Sequence, residues 1–190
     1  KRKDIVLVTK VGFEYDESGK RLGRNSQYDH IIERAEGCLR RLETDFIDLL
    51  LIHWPDHDTP LEEPMGALEQ LKQDGKIRHY GVSNFSPALM DECLKHGHIV
   101  ANQVGYHMFD RRMESGVLPY CLERNIGFMA YGTLGFGLLS GAFTPETSFG
   151  TGDWRSKGMA FELPLFQQDE FSQELKVVER LKTIAKRYGK

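Results

Sequence analysis

The sequence predicts an α/β fold with a parallel sheet, and three observations support this prediction. Short apolar runs alternate with helix-like stretches five times along the chain. The run Ile47–Ile52 is apolar except for Asp48 and lacks a period of two, which is typical of a parallel strand buried on both faces. Polar residues stand at or just after the end of each predicted strand. In parallel α/β folds, active sites lie at that end of the sheet.

Composition and charge are those of an ordinary globular domain. The 190 residues are 40% hydrophobic and 28% charged, and we expect a single domain over residues 1–190. The net charge of −3 argues against a general nucleic-acid surface, and no apolar run is long enough to span a membrane. Cys38, Cys93 and Cys121 fall on predicted helices, which favours buried free thiols and a reducing cytoplasm.

The first half of the chain is predicted to form two strands, each followed by a helix. Residues 5–9 form the first strand, which ends at Lys10, and residues 13–25 are predicted to be a polar loop. Ser26 is expected to open a helix because apolar residues recur after it at helical spacing. The strand that begins at Ile47 ends at His53, where a proline soon follows.

The second half is predicted to supply three further strands, at residues 77–82, 99–104 and 126–131. Ser86 and Pro87 are good N-cap and first-turn residues for the helix after the third strand. Further helices are expected near residues 117–124 and after a long irregular segment that reaches about residue 165. The last helix carries one apolar face, formed by Phe171, Leu175, Val178, Leu181 and Ala185.

Five strand–helix units without a dinucleotide-binding fingerprint fit either a doubly wound sheet or most of a (β/α)8 barrel. In a barrel the strand ends surround one mouth, so residues far apart in sequence converge there. Each polar residue alone has a structural explanation, such as a helix cap or a bond to the backbone. Because all five strands deliver such residues, we favour a shared site formed by Lys10, His53, Ser83, Asn84, Gln103 and Tyr131.

Five short motifs follow one another in a specific order: Val8-Thr-Lys-Val-Gly12, Leu50-Leu-Ile-His-Trp-Pro-Asp56, Gly81-Val-Ser-Asn-Phe85, Asn102-Gln-Val104 and Ala130-Tyr-Gly-Thr-Leu-Gly135. In this order the chain resembles the aldo-keto reductases over nearly its whole length. The motif Gly-Asp-Trp-Arg155 is similar to a motif of the bacterial-type subset of that family. The resemblance implies a (β/α)8 TIM barrel, of which this chain would supply strands three to seven. It also implies NADPH-dependent reduction of aldehydes and ketones.

The resemblance further implies a catalytic tetrad of Asp, Tyr, Lys and His. Lys10 matches the lysine and His53 the histidine, whereas the aspartate and tyrosine match no residue of this chain. A lysine ammonium ~4 Å from a phenol contributes about 4 kcal/mol at an effective dielectric of ~20, or roughly three pKa units. We therefore expect Lys10 to lower the pKa of the tyrosine and His53 to orient the carbonyl. Because half of the tetrad is missing, the chain alone is expected to be an inactive excerpt of a longer protein.

Cofactor-binding residues are also carried over from the resemblance. Ser83, Asn84 and Gln103 match positions that bind the nicotinamide carboxamide, and Tyr131 matches the aromatic residue that stacks on the ring. The glycine-rich turn would approach the pyrophosphate, with Gly132, Leu134, Gly135 and Gly137 as the residues involved. Many members of the family have a serine at the position of Gly132. The choice of NADP rather than NAD as cofactor is implied by the resemblance alone.

Two other functions remain open at this point. A metal-dependent hydrolase on the same fold could use His53, Asp56, His57 and Asp58, but no second His-x-His occurs on a predicted strand, and no metal is expected. A cofactor-binding regulatory or interaction protein would keep similar nucleotide-binding residues without rapid turnover. The expected partner is a small-molecule carbonyl substrate, with no nucleic acid and no membrane. Homo-oligomers are expected if the sheet has two unpaired edges.

Overall fold

The computed structural model describes all residues from 1 to 190, which divide into two compact units. The first unit comprises Lys1–Val104 and Met113–Met129, and the second comprises Gly105–Arg112 and Ala130–Lys190. None of the helices is long and apolar enough to cross a membrane. That residues 1–190 act as a single domain stays a prediction.

Seven strands and five α-helices make up the regular structure. The strands are β1 (Val8–Val11), β2 (Phe13–Tyr15), β3 (Arg21–Arg24), β4 (Ile47–Ile52), β5 (Ile77–Ser83), β6 (Ala101–Gly105) and β7 (Gly127–Tyr131). The helices are α1 (Tyr28–Leu42), α2 (Glu62–Gln73), α3 (Pro87–His96), α4 (Val117–Glu123) and α5 (Gln168–Arg187). Five strands form one sheet in the order β1-β4-β5-β6-β7. The pairs β1–β4, β4–β5 and β5–β6 are parallel, which confirms the predicted parallel sheet.

The core of the first unit is built around β4. Ile47, Leu50, Leu51 and Ile52 are at most 1% exposed, because β4 lies between two strands, and Ile47, Leu50 and Ile52 pack in the main apolar core. Helices α1 and α2 pack against each other and contribute further buried residues to this core, among them Ile31, Ala35, Met65, Leu68 and Leu71. The continuous apolar run in the sequence thus marks a strand buried on both faces, as predicted.

The prediction of a polar loop over residues 13–25 was wrong, because this segment forms the antiparallel hairpin β2–β3. A compact turn joins the two strands: the Asp16 carboxylate accepts hydrogen bonds from the backbone N–H groups of Ser18 and Lys20, both at 2.9 Å. Side chains such as Asp are favoured in turns for this reason. The two strands contain only three and four residues, so an alternating apolar pattern had no room to develop.

The start of helix α1 also differs from the prediction. Gln27, not Ser26, is the N-cap, and the backbone N–H of Ser26 donates to the carboxylate of Asp56 at 2.9 Å. By contrast, Ser86 caps α3 as predicted, since its hydroxyl accepts a hydrogen bond from the Leu89 N–H at 3.3 Å. The three cysteines are free and buried, which confirms that prediction.

The second unit has its own apolar core. Helix α5 packs on the turn of 3-10 helix at Gly135–Ser140, and the residues buried around this contact are Leu138, Ala160, Leu165, Phe166, Phe171 and Leu175. A second 3-10 turn, Trp154–Lys157, is capped by Asp153, whose carboxylate accepts from the Arg155 N–H at 3.0 Å. The glycine-rich turn predicted from the sequence is therefore part of a packed unit.

Asp48, the one polar residue within β4, joins the chain start to the sheet. Its carboxylate accepts a hydrogen bond from the Leu7 N–H at 2.9 Å and pairs with Arg2 and Arg78, both at 2.8 Å. The two guanidinium groups lie on the ring of Phe46, each 4.1 Å from its centroid. The side chain of Asp48 is 8% exposed, so its charge is well paired where solvent is scarce.

We predict that Asp48→Asn destabilises the first unit and does so in a pH-dependent way. The Leu7 N–H, and then Arg2 and Arg78, hold the pKa of the Asp48 carboxyl below its ordinary value of 3.8. Because the folded pKa is the lower one, this stabilisation is complete above the unfolded pKa and is lost as pH falls through the folded pKa. Urea unfolding should show that the variant is less stable than the wild type at pH 7 and that this difference is smaller near pH 3. Asp45→Asn, at an exposed residue, is the control, and an equal loss there would contradict the prediction.

Candidate active site

Five of the predicted site residues lie at the carboxyl edge of the sheet in the first unit. Lys10 is in β1, His53 directly follows β4, Ser83 ends β5, Asn84 follows it, and Gln103 is in β6. Parallel pairing brings these positions to one edge, and Ser83 is in register with Gln103. The structure therefore gathers residues that are up to 93 positions apart in sequence (Lys10 to Gln103).

Asn84 is the centre of a hydrogen-bond network that joins three strand ends. Its side-chain nitrogen donates to the backbone carbonyl of His53 at 3.1 Å and to the Ser83 hydroxyl at 3.0 Å. The Ser83 hydroxyl donates to the carbonyl of Gln103 at 2.7 Å, and the Asn84 N–H donates to the same carbonyl at 2.9 Å. Asn84 has a φ of 63°, a left-handed conformation that asparagine tolerates better than most residues. These bonds hold His53, Asn84 and Gln103 in one arrangement.

The network also bears on which residues fit a nicotinamide carboxamide. Ser83 is 1% exposed, and its hydroxyl both donates and accepts within the protein, so its contribution in this structure is to position Asn84. Gln103 is partly exposed and carries the donor and acceptor that a carboxamide requires. The polar edge therefore fits the group that the sequence analysis assigned to it.

His53 is held from both sides and is partly buried. Its backbone N–H donates to Val11 at 2.9 Å, and its ring meets the ring of Phe13 edge-on, with 4.8 Å between centroids. Burial lowers the pKa of His53 below its ordinary value, and the positive charges of Lys10 and Arg21 lower this pKa further. His53 is consequently uncharged at neutral pH and can offer one N–H to a carbonyl oxygen.

Sequence reasoning missed the residues that surround His53 from the hairpin. Arg24 donates to the carbonyl of Pro55 at 2.8 Å, and its guanidinium lies 5.3 Å from the ring centroid of Trp54. Arg21 lies on Phe13, 4.8 Å from that ring's centroid. The turn signal in Asp16-Glu-Ser-Gly19 could have revealed the hairpin, but nothing in the sequence shows where the hairpin packs.

Asp56, considered above as a metal ligand, serves a different purpose here. Its carboxylate accepts hydrogen bonds from Ser26 N–H at 2.9 Å, Thr59 hydroxyl at 2.7 Å and Asp58 N–H at 3.2 Å. These bonds fasten the loop after His53 to the start of α1. In the structure, no group of three or more His, Cys, Asp or Glu side chains is placed to hold a metal ion.

Tyr131 and the glycine-rich turn belong to the second unit. The Tyr131 ring lies 5.4 Å from the ring of Phe161, and its carbonyl accepts from the Tyr106 N–H at 3.2 Å. Burial raises the pKa of the Tyr131 phenol and the charge of Asp110 raises it further, while Arg112 acts in the opposite direction. The phenol therefore remains protonated at neutral pH and presents an uncharged ring.

The glycines after Tyr131 are explained by packing and by backbone shape. The N–H groups of Gly135 and Gly137 donate within the turn, to the carbonyls of Gly132 at 2.7 Å and Leu134 at 3.2 Å. A Cβ atom on Gly132 would lie 2.8 Å from the ring of Phe136, so no larger residue fits there without a shift. Leu134 is 60% exposed. The turn therefore shows why glycines stand here, while their contact with a pyrophosphate stays a prediction.

An open apolar cavity of about 560 Å³ lies next to this turn in the second unit, lined by Phe136, Trp154, Met159 and Phe161. Trp154 packs edge-on against Phe136 at 5.4 Å. Arg155 donates to the carbonyl of Phe136 at 3.2 Å and pairs with Asp153 at 2.6 Å. The Gly-Asp-Trp-Arg motif thus supports the glycine-rich turn and one wall of the cavity.

Comparison with known proteins identifies the family. The model of the aldo/keto reductase family matches residues 1–190. An aldo-keto reductase of Bacillus subtilis is 39% identical over an alignment of 191 positions, which covers 100% of this chain and 56% of that protein. An aldo-keto reductase of Schizosaccharomyces pombe, named for NADP(+), is 35% identical over 188 residues, or 97% of this chain and 54% of that protein. The chain thus spans about half the length of these relatives.

Among solved structures, a glycerol dehydrogenase of Gluconobacter oxydans matches with a TM-score of 0.88 and 38% identity, over 96% of this chain and 55% of that one. The α/β fold class is confirmed, and the chain covers about half of the (β/α)8 barrel of its relatives. Because the family model spans all 190 residues and the sequence relatives agree with the structural one, the chain belongs to the aldo/keto reductase family.

Proposed function

We propose that this chain forms part of a reductase that converts aldehydes or ketones to alcohols with NADPH. The observation that carries the proposal is the polar network at the carboxyl edge of the sheet, where Asn84 joins His53, Ser83 and Gln103. Membership of a family of oxidoreductases supports carbonyl reduction in general. The sheet edge adds the groups that such chemistry needs, namely a neutral imidazole, a lysine and an amide-rich surface.

We assign the roles from the resemblance to the family, and the hydrogen bonds at the sheet edge support them. NADPH, when bound, supplies the hydride. His53 donates an N–H to the carbonyl oxygen and stabilises the negative charge that develops there. Lys10 lowers the pKa of the group that protonates this oxygen. Asn84 and Gln103, positioned by Ser83, hold the carboxamide of the nicotinamide, and Tyr131 provides an uncharged ring for stacking.

The remaining assignments are proposals of the same kind. The pyrophosphate lies beside the glycine-rich turn. The shape of this turn is the contribution of Gly132, Leu134, Gly135 and Gly137. NADP(H) is favoured because a relative is named for NADP(+). The substrate is a small carbonyl compound, and neither nucleic acid nor a membrane is a partner. The protein acts in the cytoplasm, for which the three buried free thiols are the support.

We predict that Asn84→Gly weakens NADPH binding to this chain about tenfold. Glycine keeps the left-handed backbone but removes the amide, and one lost hydrogen bond contributes about 1 kcal/mol or somewhat more. Isothermal titration with NADPH and with NADH measures the effect and tests the cofactor preference. Asn125→Gly is a matched control, since Asn125 also has a positive φ of 54° but lies before β7, away from the carboxyl edge. Equal weakening in both variants, or tighter binding of NADH, would contradict these assignments.

A chimera tests hydride transfer itself. This chain replaces the matching 56% of the Bacillus subtilis relative, whose remaining segments complete the barrel. We expect the chimera to oxidise NADPH in the presence of a reactive aldehyde, and His53→Leu to lower kcat about 10²- to 10³-fold, as the loss of an oxyanion donor does elsewhere. Absorbance at the reduced nicotinamide band follows the reaction. A folded chimera that binds NADPH without hydride transfer would favour the regulatory alternative.

Association of the chain is a further expectation. Strand β1 is at one edge of the sheet, and Ile5 and Val6, which precede it, are 55% and 77% exposed. Unpaired edges with apolar neighbours promote pairing between chains. Sedimentation velocity should show dimers or larger species that dissociate on Val6→Lys. A monodisperse wild-type monomer at micromolar concentration would contradict this expectation.

A further inference from the structure

The hairpin β2–β3 forms a layered contact with His53. The imidazole meets the edge of the Phe13 ring at 4.8 Å with 62° between the planes, and the Arg21 guanidinium lies 4.8 Å from the centroid of the same ring. Phe13 is 9% exposed, whereas Arg21 is exposed. The buried Phe13 ring therefore contacts both the imidazole and the exposed guanidinium. An aromatic face attracts a cation, so Phe13 determines where the charge of Arg21 resides.

The hairpin is attached to the chain on both sides of His53, which gives this layer a defined position. On one side, β1 accepts the His53 N–H through the carbonyl of Val11 at 2.9 Å, and the hairpin follows directly. On the other side, Arg24 donates to Pro55 at 2.8 Å. These two hydrogen bonds fasten the hairpin to the segment after β4.

The charges that act on the imidazole are both positive. Burial lowers the pKa of His53 most, and the charges of Lys10 on β1 and Arg21 on β3 act in the same direction. A guanidinium remains charged at every pH at which proteins are stable, so the influence of Arg21 does not vary with pH. The hairpin thus adds a constant positive charge to a site that already contains Lys10.

We propose that the hairpin β2–β3 is a positioning element for His53, in which Phe13 orients the imidazole and Arg21 keeps it in the uncharged form that donates an N–H to the carbonyl oxygen. This inference rests on the proposed carbonyl reduction. Arg21 is a positioning residue that acts through His53. A protonated imidazole would add a third positive charge beside Lys10 and Arg21, which the arrangement disfavours.

The test is the titration of His53 in the full chain by NMR of the histidine Cε1–H groups. The chain has seven histidines, and the His53 signal is identified by its loss in His53→Gln. Arg21→Gln should raise the pKa of His53, since one of the two cations is removed, and Arg21→Lys should leave it close to the wild-type value. Lys20→Gln is the control, because Lys20 is an exposed cation of the same hairpin that is not among the charges acting on His53.

Salt provides a second criterion, because the effect of an exposed charge is screened. The difference between wild type and Arg21→Gln should shrink between about 0.05 and 1 M salt. The proposal is overturned if Arg21→Gln leaves the titration unchanged, if Arg21→Lys shifts it as far as Arg21→Gln, or if Lys20→Gln does the same. A difference that persists in 1 M salt also overturns it, since packing would then be the cause. The titration needs no cofactor or substrate, so its failure is distinct from a failure of hydride transfer in the chimera.

Discussion

The hydrogen bonds of Asn84 and Ser83 hold the ends of β4, β5 and β6 in one arrangement, and the candidate site depends on them. Two bonds converge on the carbonyl of Gln103, and another reaches the carbonyl of His53. Parallel strands end in backbone groups that have no partner in the next strand, so these carbonyls require donors from side chains. The same bonds orient Asn84, whose left-handed backbone places its amide over the strand ends. The same side-chain atoms therefore provide hydrogen bonds to the strand ends and position the residues of the candidate site.

The state of His53 follows from its place at the end of a buried strand. Burial disfavours the imidazolium, and the cations Lys10 and Arg21 disfavour it further. These influences oppose the usual tendency of a histidine near pH 6.5 to bind a proton. The resulting neutral imidazole suits a hydrogen-bond donor to a carbonyl and does not suit a general acid that must carry the reacting proton. The charges at the sheet edge thus fit the two proposed roles, in which His53 donates a hydrogen bond and a separate group, assisted by Lys10, donates the proton.

In the second unit, aromatic packing accounts for features that a sequence motif alone would assign to phosphate binding. Gly132 and Gly137 are required because a Cβ atom would meet the rings of Phe136 and Phe143 at 2.8 and 2.7 Å. Arg155, whose guanidinium lies 4.7 Å from the Phe149 ring centroid, also bonds to the carbonyl of Phe136. The turn is shaped by these contacts before any ligand binds. Because packing already fixes the shape of the turn, no entropy is lost in ordering the turn when a ligand binds.

The sequence by itself determined the five strands of the parallel sheet, the buried state of β4 and the position of Lys10, His53, Ser83, Asn84 and Gln103 at strand ends. These features follow from local apolar patterns and from the rule that parallel strands share a direction. The hairpin β2–β3, the role of Asp56 and the cations around His53 were decided only by the tertiary structure. Strands of three and four residues carry almost no periodic signal, and the charge beside an imidazole depends on which distant segment packs against it. The local sequence therefore indicates the residues of the candidate site, whereas packing sets the protonation of His53 and the orientation of the side chains.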